Sequence, residues 1–229
     1  MSAEKFAAIY ARAAKRKGSE AALENLLGQP LSSEEVAAIP NDRFLAEFTK
    51  KVFQSGFVWR VVRQKWPDFE EIFFGFDIEK ILLMPDEMLE RKAGDKRIIR
   101  NYSKVKTIRD NAMMIADVSR AHGSFGRFIA DWPADDIVGL WDYLKKHGAR
   151  LGGNTGPYAL RFLGKDTFLL SNDVEGYFTQ HKLIEGSARS KRSLKTINET
   201  FLEWQKQSGW SLQSLSQLVA FSCGDNHIN

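Results

Sequence analysis

The chain has 229 residues, 43% hydrophobic and 12% aromatic, enough to bury a real core, and its single cysteine excludes an intrachain disulfide. No run approaches the roughly 20 apolar residues of a membrane span, and the opening stretch MSAEKFAAIYARAAKRKG lacks the apolar centre of a signal peptide. A cytoplasmic protein with no membrane partner is therefore expected. Lysine and arginine exceed the acidic residues 33 to 29, a net +4 that permits a polyanionic partner without requiring one.

The predicted elements are helical almost throughout. Residues 1–42 read as an N-terminal helical segment. Phe44, Leu45, Phe48, Val52 and Phe53 then recur at helical spacing and stop at Ser55-Gly56. Val105, Ile108, Ala112 and Ile115 form a second stripe. Ile137, Leu140, Trp141 and Leu144 form a third, with Asp135 or Asp136 to open it and Gly148 to close it. The glycine-rich turn Gly152-Gly-Asn-Thr-Gly156 follows, with a helix expected to start at Pro157, where a missing N–H is harmless. Only TFLLS, Thr167–Ser171, is strand-like. Gly186–Ser193 is polar and basic and reads as a mobile loop, and Lys195 to about Phe221 is a last helical block carrying Phe201, Trp204, Leu215 and Leu218. No internal repeat interrupts this pattern, and the fold class is all-α.

A glycine turn ahead of a helix leaves backbone N–H groups at the positive helix end, which suits a phosphate oxygen. An ordinary helix–helix connection has the same appearance. Gly152, Gly153, Asn154, Thr155 and Gly156 are thus candidate phosphate contacts. So are Arg100, Lys104 and Lys106, and with them Arg189, Lys191, Arg192 and Lys195, although basic side chains are also simply solvated.

The run GGNTGPYALRFLGKDTFLLSNDV, residues 152–174, resembles the hairpin-plus-aspartate signature of the endonuclease III superfamily. That resemblance implies a helix-hairpin-helix fold and gives Asp173 the catalytic carboxylate role. The alternative is an N-cap for the following helix, and one side chain can serve both. Lyase-competent members carry a lysine just after the hairpin; Pro157 and Tyr158 stand there instead, so no Schiff-base nucleophile is evident.

Three further blocks are more specific. FQSGFVW (53–59), FDIEKI (76–81) and IIRNYSKVKTI (98–108) with Asn111-Ala112 resemble successive segments of the 3-methyladenine DNA glycosylase I family, and LKKHG (144–148) continues the likeness. The resemblance spans about 44–175 and implies that Trp59 stacks on an extruded base, a role that needs an aromatic face. Periodicity alone would put Trp59 in the core. Phe53 and Gln54 fall in the same base-binding block. The family's base-recognising glutamate falls at Lys51, which donates where a carboxylate accepts. Glu47, one turn earlier, can substitute, or can pair with Lys51 at i,i+4 on a solvated face. The family's zinc clip has no counterpart: Cys223 and His227 near the end are two ligands where four are needed, and no Cys or His precedes His122.

Together these readings predict one domain over 1–229, a two-lobed helix-hairpin-helix fold with a central cleft. It comprises the 1–42 segment, a family-like core over 44–175 and C-terminal helices over 195–222. The expected activity is monofunctional hydrolysis of the N-glycosidic bond of an alkylated purine such as 3-methyladenine in double-stranded DNA, by a monomer needing no metal or other cofactor. The alternative is a non-catalytic DNA-binding or lesion-sensing module of the same fold.

Overall fold

The structure is a computed structural model that describes residues 3–224, and every regular element among them is helical. In chain order the helices are α1 (Phe6–Lys17), α2 (Glu20–Glu24), α3 (Ser33–Ala37), α4 (Asn41–Gln54), α5 (Trp59–Gln64), α6 (Trp66–Ile72), α7 (Ile78–Leu82) and α8 (Asp86–Ala93). They continue with α9 (Tyr102–His122), α10 (Phe125–Asp131), α11 (Ile137–His147), α12 (Thr155–Phe162), α13 (Asn172–Gln180), α14 (Lys191–Ser208) and α15 (Leu212–Cys223). No described helix is long and apolar enough to cross a membrane.

The chain divides into two compact units: residues up to Leu31 with Pro133–Gly139 and everything from Asp166 onward, and Ser32–Trp132 with Leu140–Lys165. The second unit is organised on α9. Its 21 residues span about 30 Å, starting where Asn101 Oδ1 accepts the Lys104 N–H at 3.1 Å and ending at Gly123, whose φ of +83° suits glycine. Val105, Ile108, Ala112 and Ile115 are fully buried, as the period of the stripe requires. They pack with α4, whose Phe44, Phe48 and Val52 are buried and whose Phe44 and Phe48 rings close on Phe125 at 5.1 and 5.8 Å. Where the chain turns after α6, Phe74, Gly75 and Phe76 all take positive φ. Arg43 braces this turn by donating to Glu70 and to the Gly75 carbonyl.

In the first unit, α1 packs on α15 and on α14, so the opening segment belongs with the C-terminal helices. Glu4 accepts from Arg12 and from the Tyr177 hydroxyl at 2.8 Å, and its carbonyl accepts from Trp204 Nε1 at 2.7 Å. The Phe168 and Phe201 rings stack at 4.6 Å. Two expectations are corrected here. TFLLS is no strand: Phe168, Leu169 and Leu170 are buried, but the segment has no regular secondary structure and no strand occurs among the described residues. The basic stretch is not wholly loop, because Ser190 caps α14 by accepting the Ser193 N–H. Lys191 and Arg192 therefore lie in its first turn, while Arg189 pairs with Glu175 at 2.6 Å.

Candidate functional site

The glycine turn lies in the second unit, where it connects the end of α11 to α12, and is held by its backbone. Asp136 Oδ1 accepts the Gly139 N–H at the start of α11, and the last turn carries Lys145, Lys146 and His147, all exposed. Gly156 N–H then donates to the Leu151 carbonyl at 3.0 Å, an approach so close that a Cβ on Gly156 would lie 2.5 Å from that oxygen. Gly153 takes a φ of +63°, the conformation glycine adopts without strain. The second clamp is Asn111 of α9, fully buried, whose Nδ2 donates to the Ala149 carbonyl (3.2 Å) while its Oδ1 accepts the Ala149 N–H (2.8 Å). The helix begins at Thr155 rather than Pro157; proline is tolerated two residues in because the first turn's N–H groups lack intrahelical partners in any case.

Beside this hairpin lies a cluster of aromatic and charged groups. Trp59 opens α5 and is partly exposed, at 37%. Its ring meets Tyr158 at 5.6 Å and Phe162 at 6.5 Å, both edge-on. Tyr158 and Phe162 are four apart on α12, so the helix that leaves the hairpin presents both to Trp59. Lys51 reaches the same place from α4. It is 3% exposed, with Nζ 3.2 Å from the Phe162 ring centroid and 4.9 Å from that of Trp59. Its ammonium is 3.1 Å from Glu47 Oε1 and donates to Gln54 Oε1 at 3.1 Å. Burial lowers the Lys51 pKa from its ordinary value, and the Glu47 carboxylate opposes that shift.

The profile of the methyladenine glycosylase family matches residues 40–158. This chain belongs to that family. Membership makes it a DNA-repair glycosylase, which cleaves the N-glycosidic bond of a damaged base by hydrolysis. No curated protein sequence matches the chain. Among solved structures, the 3-methyladenine DNA glycosylase I of Staphylococcus aureus is similar at a TM-score of 0.51 and 21% identity, over 61% of this chain and 80% of that one. The Methanocaldococcus jannaschii 8-oxoguanine glycosylase/lyase, solved with DNA containing 8-oxoguanine, is similar at 0.53 and 13% identity, over 93% of this chain and 96% of that one. The fold is that of the helix-hairpin-helix glycosylases.

Within the family frame the expected residues separate. Trp59, Lys51, Gln54 and Glu47 come together in the second unit. The Glu47–Lys51 pair exists but not on a solvated face: Lys51 is buried and the Glu47 side chain is only 17% exposed. Phe53 is corrected from base contact to core, since it is fully buried with its ring 4.7 Å from Phe69. Lys104 is corrected from phosphate contact to a helix-end cap. It is 8% exposed and its ammonium donates to the carbonyls of Ser55 (2.7 Å) and Phe53 (3.3 Å), which the end of α4 leaves without intrahelical partners. Arg100 and Lys106 are exposed.

Asp173 belongs to the first unit, in the first turn of α13. The cap of that helix is Ser171, which accepts the Val174 N–H, so the capping alternative for Asp173 falls away. Its carboxylate packs against Gly224, where a Cβ would lie 2.2 Å from Oδ1. A zinc clip does not fit this chain. The Cys223 thiol is half-buried, donates to backbone carbonyls and has its pKa raised by burial, which disfavours the thiolate a metal needs. His227 lies outside the described residues, and among those described no three His, Cys, Asp or Glu side chains gather as a metal site.

Tyr158 and Phe162 are the site residues that sequence reasoning missed. Two aromatics spaced i,i+4 immediately after the hairpin were the available signal.

Proposed function

We propose that the chain is a monofunctional glycosylase that extrudes an alkylated purine from double-stranded DNA, stacks it on Trp59 and hydrolyses its N-glycosidic bond, acting as a monomer. The observation that carries this reading is the partly exposed Trp59 ring, edged by the two aromatic side chains of the helix that follows the glycine hairpin. An extruded base loses its neighbours in the stack, and an available indole replaces them. The hairpin suits the phosphate backbone: Gly152–Asn154 lead into the N-terminus of α12, whose first turn holds Thr155 and Gly156, with Lys145, Lys146 and Arg150 exposed around it.

Asp173 takes the catalytic role that the hairpin-plus-aspartate resemblance implies. As the base departs, positive charge builds on the sugar, and a carboxylate favours that state over the ground state. Water then bonds to the anomeric carbon, the electron pair of the broken bond stays with the base, and one water proton is released. With Pro157 and Tyr158 where lyase-competent relatives carry lysine, hydrolysis needs no covalent intermediate. Asp173→Asn keeps the shape and leaves the Ser171 cap intact while removing the charge. Single-turnover release of free base from methylated duplex DNA should slow at least tenfold with melting temperature unchanged. Unaltered release by the folded Asn variant would remove Asp173 from the mechanism.

A further inference from the structure

We infer that Lys51 sets the base specificity of this pocket, selecting damaged purines that carry a carbonyl at position 6, the guanine type, over 3-methyladenine. The inference rests on the reading of Trp59 as the base-stacking surface. At the position where the family resemblance places a base-recognising glutamate, the group closest to the aromatic rings is an ammonium, with Nζ 4.9 Å from the Trp59 centroid and 3.2 Å from that of Phe162.

An ammonium has three N–H donors and no acceptor. One donates to Gln54 Oε1, and Glu47 Oε1 lies 3.1 Å from the same nitrogen. The remaining direction is covered by the Phe162 ring, which is 59% exposed and free to give way to a flat ligand entering against Trp59. A base in that place meets a donor and a positive charge. Guanine offers O6 and N7 as acceptors on one edge, the pairing lysine makes with guanine elsewhere, and O6 remains an acceptor in both 3-methylguanine and 7-methylguanine, although N7 is blocked in the latter. Adenine presents an N6 amine there, itself a donor. In a 3-methyladenine nucleotide part of the positive charge sits on that amine; the methylguanine nucleotides are cationic as well, so the discrimination comes from this edge, where O6 accepts from the ammonium and the N6 amine cannot. A carboxylate at this position would welcome the same amine. Glu47 does not restore that acceptor, because its charge is already matched by the ammonium beside it.

Methylated duplex DNA holds 3-methyladenine, 3-methylguanine and 7-methylguanine together, so chromatography of the released bases reads the preference in one reaction. Normalised to lesion content, wild-type protein should release the two methylguanines ahead of 3-methyladenine by about tenfold or more, the range of one good base-edge contact. Lys51→Gln, with a donor and an acceptor, should flatten the ratio, and Lys51→Glu should reverse it. The Gln variant decides the matter if the Glu variant does not fold beside Glu47. Preferential release of 3-methyladenine by wild type, or a ratio unmoved by folded Lys51→Gln, overturns the inference while the glycosylase reading stands. If no base is released at all, tryptophan-fluorescence titration with free 7-methylguanine and free 3-methyladenine separates the questions. Tighter binding of 7-methylguanine, lost in Lys51→Gln, upholds the specificity with the catalytic reading gone; equal binding of both bases overturns it.

Discussion

Asn111→Ala tests how the hairpin is held. The Asn111 side chain is fully buried and makes two hydrogen bonds to the backbone of one residue, Ala149, at the mouth of the turn. Each bond is worth roughly 1 kcal/mol net, and each backbone group left without its partner adds a desolvation cost of about 1–3 kcal/mol where water cannot reach it. Ala149 is half-buried, so water recovers part of that cost. The sum is about 2–4 kcal/mol. At this chain length 1 kcal/mol corresponds to roughly 2–4 °C, so the melting temperature should fall by about 5–15 °C. Asn111→Asp should do no better, because it keeps the acceptor for the Ala149 N–H but sets an anion against the carbonyl. Displacing the hairpin residues proposed to contact phosphate should also weaken binding to undamaged duplex DNA. A melting temperature within about 2 °C of wild type and unchanged DNA affinity would refute the reasoning.

Gly156→Ala should destabilise by about 1–3 kcal/mol, the usual cost of forced overpacking, since the new methyl group meets the Leu151 carbonyl at 2.5 Å; thermal melting reads it, and an unchanged melting point contradicts the close approach. Gly153→Ala meets nothing within 4 Å but adopts a φ of +63°, so it should cost only about 1 kcal/mol, with the smaller melting shift as the check. Acid stability should depend on Glu4. Its hydrogen bond from Arg12 is the largest influence holding its pKa down to about 2, with Tyr177 and His181 assisting. A lowered carboxylate pKa gives stabilisation that is complete above the ordinary glutamate range and is lost as pH falls from there toward about 2. Glu4→Gln should therefore lower stability at neutral pH and flatten its fall with acid; a parallel pH profile for the two proteins would show that the cluster contributes nothing.

The helices were legible because burial imposes a period. Phe44, Phe48 and Val52, or Val105, Ile108, Ala112 and Ile115, repeat at helical spacing and are the residues found in the core. The hairpin was legible through its glycines, which Gly153 and Gly156 require for conformation and for close approach. What local pattern does not encode is depth. A glutamate and a lysine four apart read as a solvated pair, yet Lys51 is buried because α12, more than 100 residues away in sequence, brings Phe162 over it. Lys104 was misread for the same reason: its carbonyl partners lie on another helix. Phe53 and Trp59 share one sequence block, but only the structure assigns the first to the core and leaves the second partly open. The packing of α1 against α15 joins the two ends of the chain, a pairing that periodicity is blind to.

The most direct measurement is single-turnover release of free base from methylated duplex DNA by wild-type and Trp59→Ala protein, alongside their affinities for the same DNA. Stacking of a base on an aromatic ring is worth about 1–3 kcal/mol, so wild type should release base and the variant should be slowed roughly ten- to hundredfold. Duplex affinity should change far less, since in the proposed mode phosphate contacts hold the DNA before the base is extruded. A folded Trp59→Ala protein that releases base at the wild-type rate would contradict the account.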